Sequence, residues 1–221
     1  MGISTGSSNR TKDVLFALEA AGMCQQPLGR LALQKIVYLS DVLSLLWKRI
    51  AGPDKFFPWH NGPYDFNVQN TVDALAFRGY VKVQNLHFRT ARNAECSYVL
   101  SDDGRAVVRT LCSHPVFAAD RELYLLIARE VDFRGWEKIR RLVYAEPTYV
   151  ASSASGHGSK LPTGSGQENL SWQLLKEFKS MFNCKASEDY RRRQLVQMFF
   201  SVLDAYNNST DQALDRAYAS S

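Results

Sequence analysis

Four cysteines and four histidines are the residues of this chain best suited to hold a metal or carry a nucleophile. Cys24, Cys96, Cys112 and Cys184 are widely scattered, and none forms the close Cys pair that structural zinc sites use. Cys112 and His114 are the only close Cys/His pair, and two ligands do not fill a tetrahedral site. Their ordinary reading is as small, buried free thiols. His60, His87, His114 and His157 are equally dispersed. His60 beside Asn61 has the types for acid–base work, but a turn histidine bonded to backbone explains it as well. Gly156-His157-Gly158-Ser159-Lys160 looks like a fragment of a phosphate loop, yet no apolar strand precedes it and its spacing is wrong. There is no nucleophile elbow and no zinc-protease helix motif. The sequence makes no positive case for catalysis, a cofactor or a metal.

The remaining chemistry is that of surfaces. Trp59, Tyr64 and Phe66, with Phe56 and Phe57, crowd one short stretch, and Trp136 opens a later amphipathic segment. Exposed aromatics of this kind anchor protein interfaces; buried, they would close a core. The candidate phosphate-binding cations fall in three places: Arg89 and Arg92; Lys138, Arg140 and Arg141; and Arg191, Arg192 and Arg193. Each set also reads as a solvated face, the last beside Glu188 and Asp189. Three consecutive arginines on a helix cannot all face one partner.

These residues need elements to carry them. Val14, Leu15, Leu18 and Ala21 recur at helical spacing, with Gly22 as the expected stop. A longer helix is expected from Leu31 to Ile50, ended by Gly52-Pro53, with Leu33, Ile36, Val37, Ser40, Leu43 and Trp47 as its buried stripe. Asn61-Gly62-Pro63-Tyr64 then turns into a helix capped by Asp65. Val68, Val72, Leu75 and Ala76 form its inner face, and Gly79 ends it. Its outer face is expected to hold Asn67, Gln69, Asn70, Asp73 and Arg78. Asn and Gln can read adenine, but Asp65 and Asp73 repel phosphate, which argues against a helix in the DNA groove. Strands around Tyr80–Val83 and Cys96–Leu100 make a hairpin with His87 to Asn93 at its tip, and Ser101-Asp102-Asp103-Gly104 caps a further helix.

Three helices followed by a hairpin is the order of a winged helix. The expected fold is therefore mainly α, with a winged-helix-like α+β module over 1–114 and an all-helical region over 115–221. Helices are expected over Phe117–Val131, Gly135–Tyr144, Leu170–Phe182 and Tyr190–Ala205, with Pro147 ending the second. Residues 151–168, rich in Ser and Gly, read as a mobile loop that buries little.

Composition fits such a protein: 45% hydrophobic and 22% charged residues in 221, enough for a core. The net charge of +5 sits mostly before Ser113, where 13 basic residues face 9 acidic ones. It permits nucleic-acid contact without requiring it. No apolar run approaches the about 18 residues that span a bilayer, and MGISTGSSNRTK has neither a signal-peptide core nor a myristoylation pattern. A cytoplasmic location is expected.

Three motifs resemble one family. LALQKIVYLSDVL, Leu31 to Leu43, is similar to the L-x-K-L-x-Y-L helix of YwgA-like phage-associated proteins and the related Panacea antitoxin domains. WHNGPYDFNVQNTVDALAFRGYV, Trp59 to Val81, resembles their Gly-Pro-aromatic turn and helix. YVLSDDGRAVV, Tyr98 to Val108, resembles their strand-to-helix step. The resemblance covers Leu31 to Leu111, and the second half lies outside it. Members include antitoxins and the middle components of three-component systems built on an SMC- or ABC-type ATPase and an effector nuclease, such as Lamassu-type anti-phage defence. The family has no catalytic residues to carry over. The resemblance implies a non-enzymatic binding subunit with those partners and non-specific contact with DNA; the other role it implies is an antitoxin or operator-binding regulator.

Overall fold

The structure is a computed structural model, and it describes residues 10–44, 56–59, 62–90, 93–154, 161, 170–181 and 187–219. Among these the chain is mainly helical with a small antiparallel sheet. It divides into two compact units interleaved in sequence. The first takes Met1–Asp41 and Pro63–Arg129, and the second Val42–Gly62 and Glu130–Ser221. Residues 115–129 thus belong with the first unit, and 42–62 with the second.

In the first unit, α1 spans Thr11–Met23 and buries Val14, Leu15, Phe16, Ala17 and Leu18. Gly22 does not stop it. The left-handed turn falls three residues later, on Gln25 at φ 55, and the Gln26 N–H closes back on the Ala21 carbonyl at 2.9 Å. β1 (Leu28–Gly29) leads into α2 (Arg30–Leu43). The expected stripe on α2 is buried, but so are Gln34, Lys35, Leu39 and Val42, so this helix is enclosed nearly all round. Its expected continuation to Ile50, with Trp47 and the Gly52-Pro53 stop, lies outside the described residues, as do His60, Asn61, His157 and Cys184.

α3 (Phe66–Phe77) begins where the Asp65 carboxylate accepts the Asn67 N–H at 2.8 Å. It ends at Gly79, φ +81, with the Tyr80 N–H on the Leu75 carbonyl. Val68, Val72 and Leu75 are buried as the periodicity predicts. β4 (Val81–Thr90) and β5 (Asn93–Leu100) pair antiparallel, and β1 pairs with the far edge of β5, giving the order β1-β5-β4. The strands are longer than predicted: His87 to Thr90 belong to β4, not to the tip. Asn85, at φ 52, sits in a bulge between Gln84 and His87.

Ser101 caps α4 (Asp102–Cys112) by accepting the Gly104 N–H at 3.0 Å. Gly104 is needed for close approach: a Cβ there would lie 2.1 Å from the Tyr80 carbonyl oxygen. α5 (Pro115–Arg134) starts in this unit, where Arg121 grips Glu19 of α1 through two hydrogen bonds, and Lys12 pairs with Asp120.

In the second unit, α6 (Trp136–Ala145), α7 (Pro147–Ala154), α8 (Leu170–Met181) and α9 (Glu188–Ala219) pack in sequence neighbourhoods, with α6 against α9. α7 was not foreseen. Pro147 ends α6 but also opens a new helix, because its missing N–H and fixed φ suit the first helical position. Glu146 caps it: the buried carboxylate accepts the Thr148 and Tyr149 N–H groups and the Ser171 hydroxyl. The expectation for the Ser/Gly loop is corrected where it is described, at its start and at Leu161. Ala151 to Ala154 are helical, and Leu161 is fully buried, its N–H on the Phe56 carbonyl at 2.7 Å. The rest of that loop lies outside the described residues. Two short strands, β2 (Phe57–Trp59) and β3 (Gly62–Tyr64), form a two-stranded sheet.

Candidate protein-docking surface

α3 is held at its N-terminus by a buried charge cluster that no local pattern announces. Arg10, 1% exposed, donates from Nε to Asp65 at 2.8 Å, from Nη1 to Asp13 at 3.2 Å, and from both Nη atoms to Asp41 at 3.1 and 2.8 Å. Burial works against the guanidinium charge, but Asp41, Asp13 and Asp65 outweigh it and raise its pKa above the ordinary arginine value. Gln34 of α2 clasps the Asp65 backbone from both sides, accepting its N–H at 2.9 Å and donating to its carbonyl at 3.0 Å. α1, α2 and the start of α3 therefore meet at one point.

This cluster changes the reading of α3. Asp65 is not on the outward face; it is buried and paired. Gln69 is also buried. It accepts from Arg30 Nε at 2.8 Å and donates to Asp73 at 2.8 Å and to the Tyr98 hydroxyl at 3.2 Å. Burial and a hydrogen bond to Cys96, opposed by the bond from Gln69, push the Tyr98 phenol up to about 12, so it stays protonated. Among the residues α3 exposes are Phe66, Asn70, Asp73 and Phe77. Spacings of four, seven and eleven residues place these on one stripe. Phe66 is 53% and Phe77 94% exposed, an aromatic at each end of the helix. Asn67 and Arg78 flank the stripe. No cation sits on it.

Of the other predicted interface residues, Tyr64 is half-buried and meets Phe66 edge-on at 5.1 Å. Trp59 is exposed in the second unit, its carbonyl accepting the Tyr149 hydroxyl at 3.2 Å, and Trp136 there is half-buried. Phe77 directly follows Leu75 and Ala76, the last expected inner-face positions, and so reads as part of the core pattern, although of those two only Leu75 is buried and Ala76 is half-buried. Its spacing from Phe66 was the available signal.

The predicted phosphate cations fare unevenly. Arg89 lies on β4, and Arg92 lies outside the described residues. Lys138 pairs with Asp204 at 3.1 Å, beside the Arg134–Asp204 pair. Arg140 pairs with Glu137 at 2.7 Å, and Arg192 with Glu188 at 2.8 Å and Asp189 at 3.8 Å. Arg191 is half-buried. Arg141 and Arg193 are exposed and make no ion pair among the described residues. Cys24, Cys96 and Cys112 are half-buried, not fully buried as expected, and burial raises the Cys112 pKa. No group of three or more His, Cys, Asp or Glu among the described residues could hold a metal ion. No described helix is long and apolar enough to cross a membrane.

No protein-family model, no curated protein and no solved structure matches this chain.

Proposed function

We propose that the chain is a non-enzymatic accessory subunit of a bacterial anti-phage or anti-plasmid defence complex, docking on an SMC- or ABC-type ATPase through the outward stripe of α3. The observation that carries the docking role is that stripe: a capped and clamped helix presents Phe66 and Phe77 to solvent around Asn70 and Asp73. Solvated aromatics on a rigid helix suit a protein partner, whose desolvated pockets reward them. The resemblance over Leu31 to Leu111 supplies the kind of partner. The order of three helices, a hairpin and a capped helix supports a winged-helix-like module in the first unit. An operator-reading role is less well supported, because the stripe carries Asp73 and no cation to meet phosphate. In this reading, contact with DNA is to phosphates, through cations left unpaired such as Arg141 and Arg193.

The test is affinity purification of the full chain from native lysate, beside a Phe66→Ser/Phe77→Ser variant. An ATPase of that class should co-purify with the unaltered chain and be lost from the variant, whose folding should be unchanged since both residues are exposed. An ATPase retained equally by the variant, or turnover of nucleotide or nucleic acid that persists on repurification and disappears with a single substitution, would refute it.

A further inference from the structure

The outward stripe of α3 has an order as well as a composition. Phe66, Asn70, Asp73 and Phe77 follow one another at spacings of four, three and four residues. That alternation is the seam of a coiled coil, in which two of every seven positions face a partner helix. All four residues are exposed, so nothing within the protein occupies the seam. Its pattern also reads alike in both directions, with an aromatic at each end and two polar residues between. Turned about a two-fold axis midway between Asn70 and Asp73, the seam meets itself. Phe66 then lies opposite Phe77 of the second copy, and Asn70 opposite Asp73.

The two middle residues complement each other. The Asn70 side chain makes no hydrogen bond among the described residues, which leaves its N–H groups to donate. Asp73 uses Oδ1 to accept from Gln69 at 2.8 Å, which fixes the carboxylate and leaves Oδ2 to accept again. Gln69 is held in turn by Arg30, whose Nε donates to it at 2.8 Å, so a cation stands near each Asp73. Ala74, exposed beside the seam, keeps that flank small enough for a second helix to approach.

We propose that the seam of α3 receives a second copy of the chain, packed antiparallel about that axis. A parallel pair would set Asp73 against Asp73, and like charges placed face to face are costly. A polar residue in a coiled-coil seam fixes the register, and Asn70 finds a carboxylate opposite it only in the antiparallel one. A phosphate backbone would meet Asp73 and no cation on the seam. A pair of 12-residue helices falls below the about 1,200 Å² of a stable interface, so the dimer is weak and depends on concentration. The dimer itself stands on α3 alone, while its consequence rests on the docking role proposed above. One stripe cannot hold two occupants, so self-association withholds the docking helix until a partner covering more surface displaces the second copy.

The test is sedimentation velocity of the full chain across the micromolar range, joined to disulfide trapping. The unaltered chain should pass from monomer to dimer as its concentration rises. Asn70→Asp places a carboxylate opposite Asp73 and should weaken the dimer at least tenfold. Asn70→Lys should tighten it at least threefold, and neither change should move the melting temperature. Phe66→Cys mixed with Phe77→Cys should give a disulfide-linked dimer above the background of the unaltered chain. Neither variant should do so alone, because like positions stand about 16 Å apart along the antiparallel pair. A monomer at every concentration, a dimer indifferent to both Asn70 variants, or a link formed by Phe66→Cys alone would each overturn the proposal. Every readout uses the chain by itself, so failure to capture an ATPase would refute the docking role and leave the dimer standing.

Discussion

Arg10 is the residue on which the first unit turns. Three carboxylates, Asp13, Asp41 and Asp65, converge on a guanidinium that is almost wholly buried. Such clusters give little net stability relative to a well-packed apolar core, yet removing one partner is costly because opposite charges stay behind in a poor solvent. Arg10→Met should therefore lower the unfolding free energy by about 3–5 kcal/mol. Arg10→Lys should recover only part of this, since an ammonium cannot reproduce the fork that spans Asp41 and reaches Asp65. Urea titration of the three proteins decides it, and a loss below about 1 kcal/mol for Arg10→Met would show that the cluster is dispensable. Nothing near Arg10 in sequence foretells this. Its partners are 31 and 55 residues away, apart from Asp13 one helical turn on.

Among the elements, the strand-to-helix step at β5 and α4 offers a sharp contrast between two glycines. Gly104 and Gly22 both lie within helices, where alanine is favoured by about 1 kcal/mol on propensity. At Gly22 nothing lies within 4 Å of an added Cβ, so Gly22→Ala should stabilise the protein by up to that amount. At Gly104 the Cβ would strike the Tyr80 carbonyl oxygen, which is fixed by the N–H of Ser101. The crowding costs about 1–3 kcal/mol or more and outweighs the propensity, so Gly104→Ala should destabilise. Thermal melting followed by circular dichroism should move in opposite directions for the two variants. The helices themselves were largely legible. α3, α6 and α8 begin and end within a residue or two of where caps, prolines and periodicity put them, and α4 ends at Cys112 as expected but begins at Asp102, inside the stretch read as its cap. α7 was hidden because serine, glycine and alanine dominate its surroundings, and the buried Glu146 that caps it is read as a surface residue until the fold is known.

For the whole molecule, the chain visits each unit more than once, and residues far apart in sequence complete each core. Leu161 shows the consequence. Its neighbours on both sides are serine, glycine and other loop formers, yet it is fully buried and bonded to the backbone of Phe56, 105 residues earlier. Leu161→Ala should cost about 2–5 kcal/mol, as for other buried leucines. A surface position would cost under about 0.5 kcal/mol, so chemical denaturation separates the outcomes cleanly.

The sequence by itself determined the mainly helical character, the caps at Asp65 and Ser101, the Gly79 stop, the hairpin, and the inner faces of α2 and α3. These follow from local propensities and short-range periodicity, which act over a few residues. Only the tertiary structure decided that Asp65 and Gln69 turn inward, that Lys138 and Arg192 are already paired, and that Phe77, Leu86 and Phe88 are left in water. Those outcomes depend on which distant side chain reaches a given charge first and where the core runs out beneath a strand. An amphipathic pattern states that a residue is apolar; it cannot state whether anything is there to cover it.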